Sequence, residues 1–537
     1  MVRQLAWEIL RSGSETPLRE VDFASEQVGL SPRDRGLLRR IVGTEVRHRA
    51  TLRAIVNRYA RGNPKADLRA HLHVALAQIF YLDRVPHRAA VSEAGDATRR
   101  TLGPSKVPYV NAILRTVLRE RRVGSTGDPM CDIYGTNWHL EEPLYPDPKE
   151  HPLLWIEEAL SIPSVLAKRW VKRYGFERTV ELAKYFSAEP ALSLRVHGDR
   201  DAVRAELEAH LAADLLEQAA AAAAVEVPVD GAVEAPVDGA SDEVVEAPVE
   251  VAVETPVDTS VDASAKPAVD DAIYGSSYAS ARSAVAGTVA APAKANETPQ
   301  AAPTRLLDGA HPQFILVDGA NQGALFHAAA FTEGRITVQG EHAFRAASLM
   351  QAAEGEELLD LCAAPGGKTA VMAAAGARVT ACDVSEKKLA RLGETIARLG
   401  LEDLVECIEL DAEATPSDAA LGERDFDGVF VDAPCSNTGV IGARAGARWR
   451  FGKANQASLR ELQAKLLAQG AARVRPGGKL VWSTCSLESD ENIQQIKAFL
   501  ETNPDWTIEE ELESMPKWPS HGGPIDGGYS ARLRRGN

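Results

Sequence analysis

Residues 212–304 hold too little apolar side chain to fold by themselves, so any core in this chain must be built from the stretches on either side. An alanine run there gives way to near-repeats, Val227-Pro228-Val229-Asp230-Gly231-Ala232 and Ala235-Pro236-Val237-Asp238-Gly239-Ala240, with regular proline and almost no aromatic residues. We read the segment as a disordered insertion that serves as a linker; an acidic tether that regulates the protein or imitates RNA is the alternative. It also explains the charge. The chain has 537 residues and a net charge of -16, but this segment alone carries roughly 16 acids against about 3 bases. At this length two or three domains are expected.

Residues 1–122 differ in both sign and pattern. They carry roughly 23 Lys and Arg against about 12 Asp and Glu, a balance compatible with phosphate contacts, or simply with a solvated arginine-rich helical face. Apolar residues recur at helical spacing in Leu37-Leu38-Ile41-Val42, Leu72-Ala75-Leu76-Ile79-Phe80 and Val110-Ile113-Leu114-Val117-Leu118, so helices are expected throughout. Ser31-Pro32-Arg33-Asp34 and Gly103-Pro104-Ser105 read as helix starts. Helical stretches around Trp155–Leu160 and Leu166–Trp170 and a strand at Ala191–Val196 follow.

From about residue 305 strands and helices alternate, the pattern of a doubly wound, Rossmann-like α/β sheet. Strands are expected at 357–361, 378–382, 405–410, 428–431 and 479–483, and helices starting at 369, 386, 456 and 490. No run approaches the ~18 apolar residues of a membrane helix, and the first residues lack a secretory leader, so a cytoplasmic protein without membrane contact is expected. Six cysteines without a Cys-x-x-Cys pair or clustered histidines argue against a disulfide framework and against a metal site.

The chemistry gathers at strand ends. Leu358-Leu359-Asp360-Leu361 runs into Cys362-Ala363-Ala364-Pro365-Gly366-Gly367-Lys368-Thr369, an apolar strand turning through paired glycines into a helix, where backbone N–H groups can approach a ligand closely. A phosphate-binding P-loop would need glycine where Cys362 stands, so ATP binding is not expected. Asp383 ends the next strand, where a carboxylate would accept both hydroxyls of an adenosine ribose; capping the helix that begins near Glu386 is its competing role. Cys435, in Asp432-Ala433-Pro434-Cys435-Ser436, and Cys485, in Thr484-Cys485-Ser486, each close an apolar strand. Carboxyl ends of parallel strands share one edge, which brings both thiols to one cleft and suggests a thiolate enzyme acting at a weakly nucleophilic carbon. A free thiol titrates near 8.5, so such a site must be electropositive or pre-aligned, with Lys368 a candidate cation. Residue chemistry alone does not decide which cysteine attacks.

These motifs resemble those of S-adenosylmethionine-dependent RNA cytosine-C5 methyltransferases. Leu30-Ser31-Pro32-Arg33-Asp34-Arg35, Tyr81-Leu82-Asp83-Arg84-Val85-Pro86 and Tyr109-Val110-Asn111-Ala112-Ile113-Leu114-Arg115 look like the antitermination-factor NusB domain found at the front of one bacterial branch of that family, which acts on 16S ribosomal RNA. The resemblance implies an all-α NusB-like RNA-binding domain over residues 1–125, a small α+β subdomain from 150–211 and 305–345, and a Rossmann-like methyltransferase domain over 346–537, with the insertion between. It implies S-adenosyl-L-methionine on the loop Cys362, Ala363, Ala364, Pro365, Gly366, Gly367 and Lys368, with Asp383 at the ribose, Asp411 beside the adenine, and Asp432 near the methionine and the target pyrimidine. Cys485 would be the nucleophile, since the RNA family uses the second, Thr-Cys cysteine, and Cys435 the helper in product release. Asp526-Gly527-Gly528-Tyr529-Ser530-Ala531-Arg532-Leu533 is similar to the family's closing strand. RNA is the implied partner, and a monomer is the working expectation.

The chain departs from the family at Gln339-Gly340-Glu341-His342-Ala343-Phe344, where an Asp and a Ser are missing, at Asn437, and over Gly442-Ala443-Arg444-Ala445-Gly446. These positions shape the substrate side, so the target is less constrained than the transfer. A transfer-RNA cytosine methyltransferase and a noncatalytic RNA-binding assembly factor are the alternatives; the intact loop and both cysteines speak against the second.

Overall fold

The computed structural model describes residues 1–225 apart from Glu15 and Arg84, residues 304–410 apart from Ala320 and Asn321, residues 421–519, and residues 524–537. Its first 120 residues are helical, with the long helix Pro32–Tyr59 packed against Val2–Arg11, Pro17–Gln27 and Ala66–Tyr81. Leu38, Ile41, Val42, Leu72, Leu76 and Leu114 are fully buried, so the helical spacing in the sequence marks the faces that meet. Ser31 caps the long helix by accepting the N–H of Asp34, with Pro32 in the first turn. The helices stop at Glu120, where a small antiparallel sheet begins: β1 (Arg121–Val123), β2 (Asp132–Ile133) and β3 (Trp138–Leu140), in the order β1-β3-β2. Strands of two or three residues leave too little alternation to be read from sequence.

After helices Pro152–Leu160, Ser164–Tyr174 and Phe176–Ser187 comes β4 (Leu192–Val196), then the helix Arg200–Val225. This helix corrects the start placed on the insertion at residue 212: alanine is the strongest helix former, and its run extends the helix before the proline repeats begin. The remainder of the insertion lies outside the described residues. β5 (Arg305–Asp308), β6 (Phe314–Asp318) and β7 (Ile336–Val338) complete an antiparallel sheet with β4, in the order β5-β6-β4-β7.

The C-terminal region is a seven-stranded α/β sheet. Its strands are β8 (Glu357–Asp360), β9 (Arg378–Asp383), β10 (Val405–Glu409), β11 (Phe426–Asp432), β12 (Val474–Thr484), β13 (Trp506–Ser514) and β14 (Gly528–Arg535), in the order β10-β9-β8-β11-β12-β14-β13. The first five are parallel, and β14 runs antiparallel between β12 and β13. Val429, Val431, Leu480 and Trp482 face helices Lys453–Ala472 and Ile493–Thr502, while Phe430 and Val481 point to the opposite core. Burial on both faces explains why these strands read as continuous apolar runs.

The helical region is joined to the α/β region by side chains of the segment that follows Cys435. Arg448, 0% exposed, donates to the carbonyls of Arg47, Ser161, Phe186 and Ala445, and burial pulls its pKa down to about 9. Trp449 donates its indole N–H to the Val46 carbonyl, and Arg47 donates to that of Gly442.

Candidate active site

β8 delivers Asp360 to the carboxyl edge of the sheet, and the next seven residues wrap around that edge into the helix Gly367–Ala373. Three backbone donors pin the loop: Leu361 N–H to Phe430 O at 3.0 Å, Ala363 N–H to Cys382 O at 2.9 Å, and Ala364 N–H to Asp383 Oδ2 at 3.1 Å. Gly366 has φ +96°, and a Cβ there would stand 3.0 Å from Leu392, so both conformation and space demand glycine. Thr369 donates to Asp360 Oδ2 at 2.8 Å and leaves Oδ1 unpartnered. Burial, and next the neighbouring Asp432, raise the Asp360 carboxyl to about 7 against the pull of Thr369 and Lys368.

Asp383, at the end of β9, accepts the N–H of Ala364 on Oδ2 and, on Oδ1, the N–H of Val384 and Lys388 Nζ at 2.8 Å. The following helix is capped by Ser385, so Asp383 is not its cap. Its Oδ2, with one donor, has capacity for a second, which suits a ribose hydroxyl. Asp411 lies outside the described residues.

β11 and β12 are parallel neighbours with Asp432 opposite Ser483, and Ala433 N–H donates to Ser483 O at 2.9 Å. Cys435 and Cys485 therefore leave the sheet side by side, and their neighbours Ser436 and Ser486 are linked through hydroxyls 3.0 Å apart. Asp432 accepts Lys368 Nζ at 2.6 Å and the Ser483 hydroxyl at 3.1 Å. Burial would lower the Lys368 pKa, but Asp432 and then Cys485 hold it above the ordinary lysine value. Burial also pushes both thiols up, Cys435 further through Cys485 and Glu491. Lys368 draws the Cys485 thiol down without overcoming burial, because Asp432 already pairs with that cation. Lys368 as the expected activating charge is thus only part of the balance. Cys362 lies in the loop with a thiol raised by burial and by Asp360.

Several organising residues escaped the sequence reading. Glu491, fully buried, accepts Ser436 N–H at 2.8 Å and the Gln463 amide at 3.1 Å on one oxygen, and the Ser486 hydroxyl at 3.1 Å and the Gln456 amide at 3.3 Å on the other. One carboxyl group thereby holds both cysteine loops. Asn492 accepts from the Thr484 hydroxyl at 2.6 Å and donates to Ser486 O at 2.9 Å, bracketing Cys485. Their only sequence signal is an acid and an amide six and seven positions beyond Cys485. Gln339 links Arg195 of β4 to the Gly367 carbonyl. Asp526 lies where a side chain at Gly340 would project and accepts the N–H of His342.

The glycine turn and the acceptor at Asp383 suit the adenosyl group of S-adenosylmethionine, at the edge occupied by Cys435, Cys485 and the Lys368–Asp432 pair. Among the described residues no group of side chains could hold a metal ion, and no helix is long and apolar enough to cross a membrane.

Comparison with known proteins finds matches for two regions of the chain. Residues 347–519 match the model of the 16S rRNA methyltransferase RsmB/F family, and residues 2–119 match the NusB family. The chain is 40% identical over 182 residues to ribosomal RNA small subunit methyltransferase B of Salmonella newport (strain SL254), a stretch that covers 34% of this chain and 42% of the relative. The Salmonella arizonae protein of the same name is 41% identical over the same lengths. The match thus spans about two fifths of these relatives. The crystal structure of PH0851 shares the fold, with TM-score 0.64 at 20% identity over 99% of this chain and 98% of that one. The chain thus carries, in order, a region that matches the NusB family and a region that matches the 16S rRNA methyltransferase RsmB/F family.

Proposed function

We propose that this protein methylates C5 of a cytosine in 16S ribosomal RNA through a transient bond between Cys485 and C6. The observation that carries this reading is the pair of thiols on neighbouring parallel strands beside the Lys368–Asp432 ion pair, at the edge that bears the glycine turn. S-adenosyl-L-methionine, held by residues 362–368 and Asp383, supplies a methyl group on an electrophilic sulfonium.

C5 of a neutral cytosine is a weak nucleophile. The Cys485 thiolate adds to C6, the electron pair of the C5–C6 double bond moves toward C5, and C5 then takes the methyl group. Asp432 hydrogen-bonds the pyrimidine edge, and Lys368 favours the thiolate. The C5 proton leaves to solvent, its bonding pair restores the double bond, and the C6–sulfur bond breaks. Cys435, kept as a thiol by burial, can protonate the departing sulfur. The target base must be unpaired or flipped to reach Cys485. The basic helical region supplies phosphate contacts that hold the RNA.

With labelled S-adenosylmethionine, the wild-type protein should methylate small-subunit RNA and Cys485→Ala should not. Cys435→Ala should accumulate protein covalently bound to RNA, seen as a retarded band in denaturing gels. Methylation by Cys485→Ala would refute the nucleophile assignment, and labelling of transfer RNA instead of 16S RNA would refute the substrate. Bisulfite sequencing of ribosomal RNA from a deletion strain locates the base.

A further inference from the structure

His342 has no task in the steps above, yet its imidazole is buried at the cleft, 1% exposed, and neither ring nitrogen has a hydrogen-bond partner. Buried polar atoms are nearly always partnered, and a neutral imidazole has one N–H to give and one lone pair to fill. Two complementary groups flank the ring. The Thr484 carbonyl, one peptide before Cys485, lies beside it and acts on the ring as a hydrogen-bond acceptor: a Cβ on Gly528 would stand 2.4 Å from both Thr484 O and His342 Nε2. The charges of Lys368 and Asp432, which are paired at 2.6 Å, also reach the ring, as does that of Arg345 on the same helix. The backbone N–H of His342 is held at 3.2 Å by Asp526.

We propose that neutral His342 is a positioning residue that gives its N–H to the Thr484 carbonyl and receives Lys368 on its lone pair, tying the backbone at Cys485 to the cation that favours its thiolate. The inference rests on the reading of Cys485 as the attacking group. Only the neutral ring serves, because an imidazolium would set a second cation against Lys368 and have no lone pair to offer. Burial and Lys368 lower the His342 pKa to about 4, which keeps the ring neutral at physiological pH.

The test is the reactivity of the Cys485 thiol, which does not require methyl transfer. In the full-length protein, iodoacetamide alkylation of Cys485 is followed against pH by peptide mass spectrometry, with Cys435 as internal reference. His342→Leu should raise the apparent Cys485 pKa by about one unit and slow alkylation at neutral pH about tenfold. His342→Gln, whose amide carries both a donor and an acceptor, should retain the wild-type profile. In a Lys368→Met background, His342→Leu should add nothing. An unchanged profile in His342→Leu, an equal loss in His342→Gln, or additive effects with Lys368→Met would each overturn the proposal. Those outcomes leave the nucleophile assignment standing, which fails separately if Cys485→Ala still methylates RNA.

Discussion

Removing the Glu491 carboxyl group should damage the protein more than any substitution on its surface, and the size of the effect can be built from its contacts. Glu491→Ala strips acceptors from the Ser436 N–H, the Gln463 and Gln456 amides and the Ser486 hydroxyl, all at a fully buried site. A buried donor left unpaired costs about 1–3 kcal/mol, and the lost side-chain volume adds a cavity. Ser486 can turn its hydroxyl toward other partners, so the total is on the order of 4 kcal/mol, a large share of the ~5–15 kcal/mol that holds a folded domain. Glu491→Gln should cost far less, about 1–2 kcal/mol. Its new amide N–H₂ can face Gln456, whose own Oε1 is unpartnered and becomes an acceptor when that amide turns over. Urea unfolding followed by tryptophan fluorescence would give both values. In the Gln variant, methyl transfer should fall while affinity for S-adenosylhomocysteine is kept, since Glu491 grips the cysteine loops and not the glycine turn. A loss below about 1 kcal/mol in the Ala variant, or equal losses in both, would refute the shared-carboxyl account.

Two further outcomes follow from the loop. Burial raises the folded Asp360 carboxyl to about 7, above the ordinary aspartate value, so the native state keeps a proton that the unfolded chain has released, and stability should decline as pH rises from about 4 to 7. Asp360→Asn removes that slope and should exceed wild type at pH 8 by on the order of 2–4 kcal/mol in urea midpoints measured at pH 5 and 8; identical slopes would contradict the shift. Asp383→Ala frees the N–H groups of Ala364 and Val384, and should weaken S-adenosylhomocysteine binding by about 10- to 100-fold in calorimetry, with an unchanged Kd refuting its role.

What the sequence disclosed follows from how each element is buried. Strands β8, β9, β11 and β12 were legible because both faces are covered and apolar residues run together, and the cysteines were legible because each ends such a run. β13 was not. It is a sheet-edge strand whose acids are paired across strands, Glu509 with Arg532 and Arg534 and Glu510 with Arg532, so its residues look like a solvated loop. At the site, residues that would touch ligand carry motif signals, whereas Glu491, Asn492, Gln339 and His342 are held by partners up to 184 positions away that only folding brings near. The pairing of Lys368 with Asp432, 64 positions apart, carries no signal in the sequence.

Arg448 has a consequence for how such a protein can be cut or recombined. Its guanidinium is solvated by backbone carbonyls drawn from the helical region, from the helices that follow it and from its own segment beyond Cys435. A fragment that begins after residue 125 would strip away the Arg47 carbonyl and the indole contact at Val46, leaving the Arg448 charge with fewer acceptors in the segment that follows Cys435. The amino-terminal helices are therefore no interchangeable cartridge: lineages that lost or replaced them would have had to rebuild this segment at the same time.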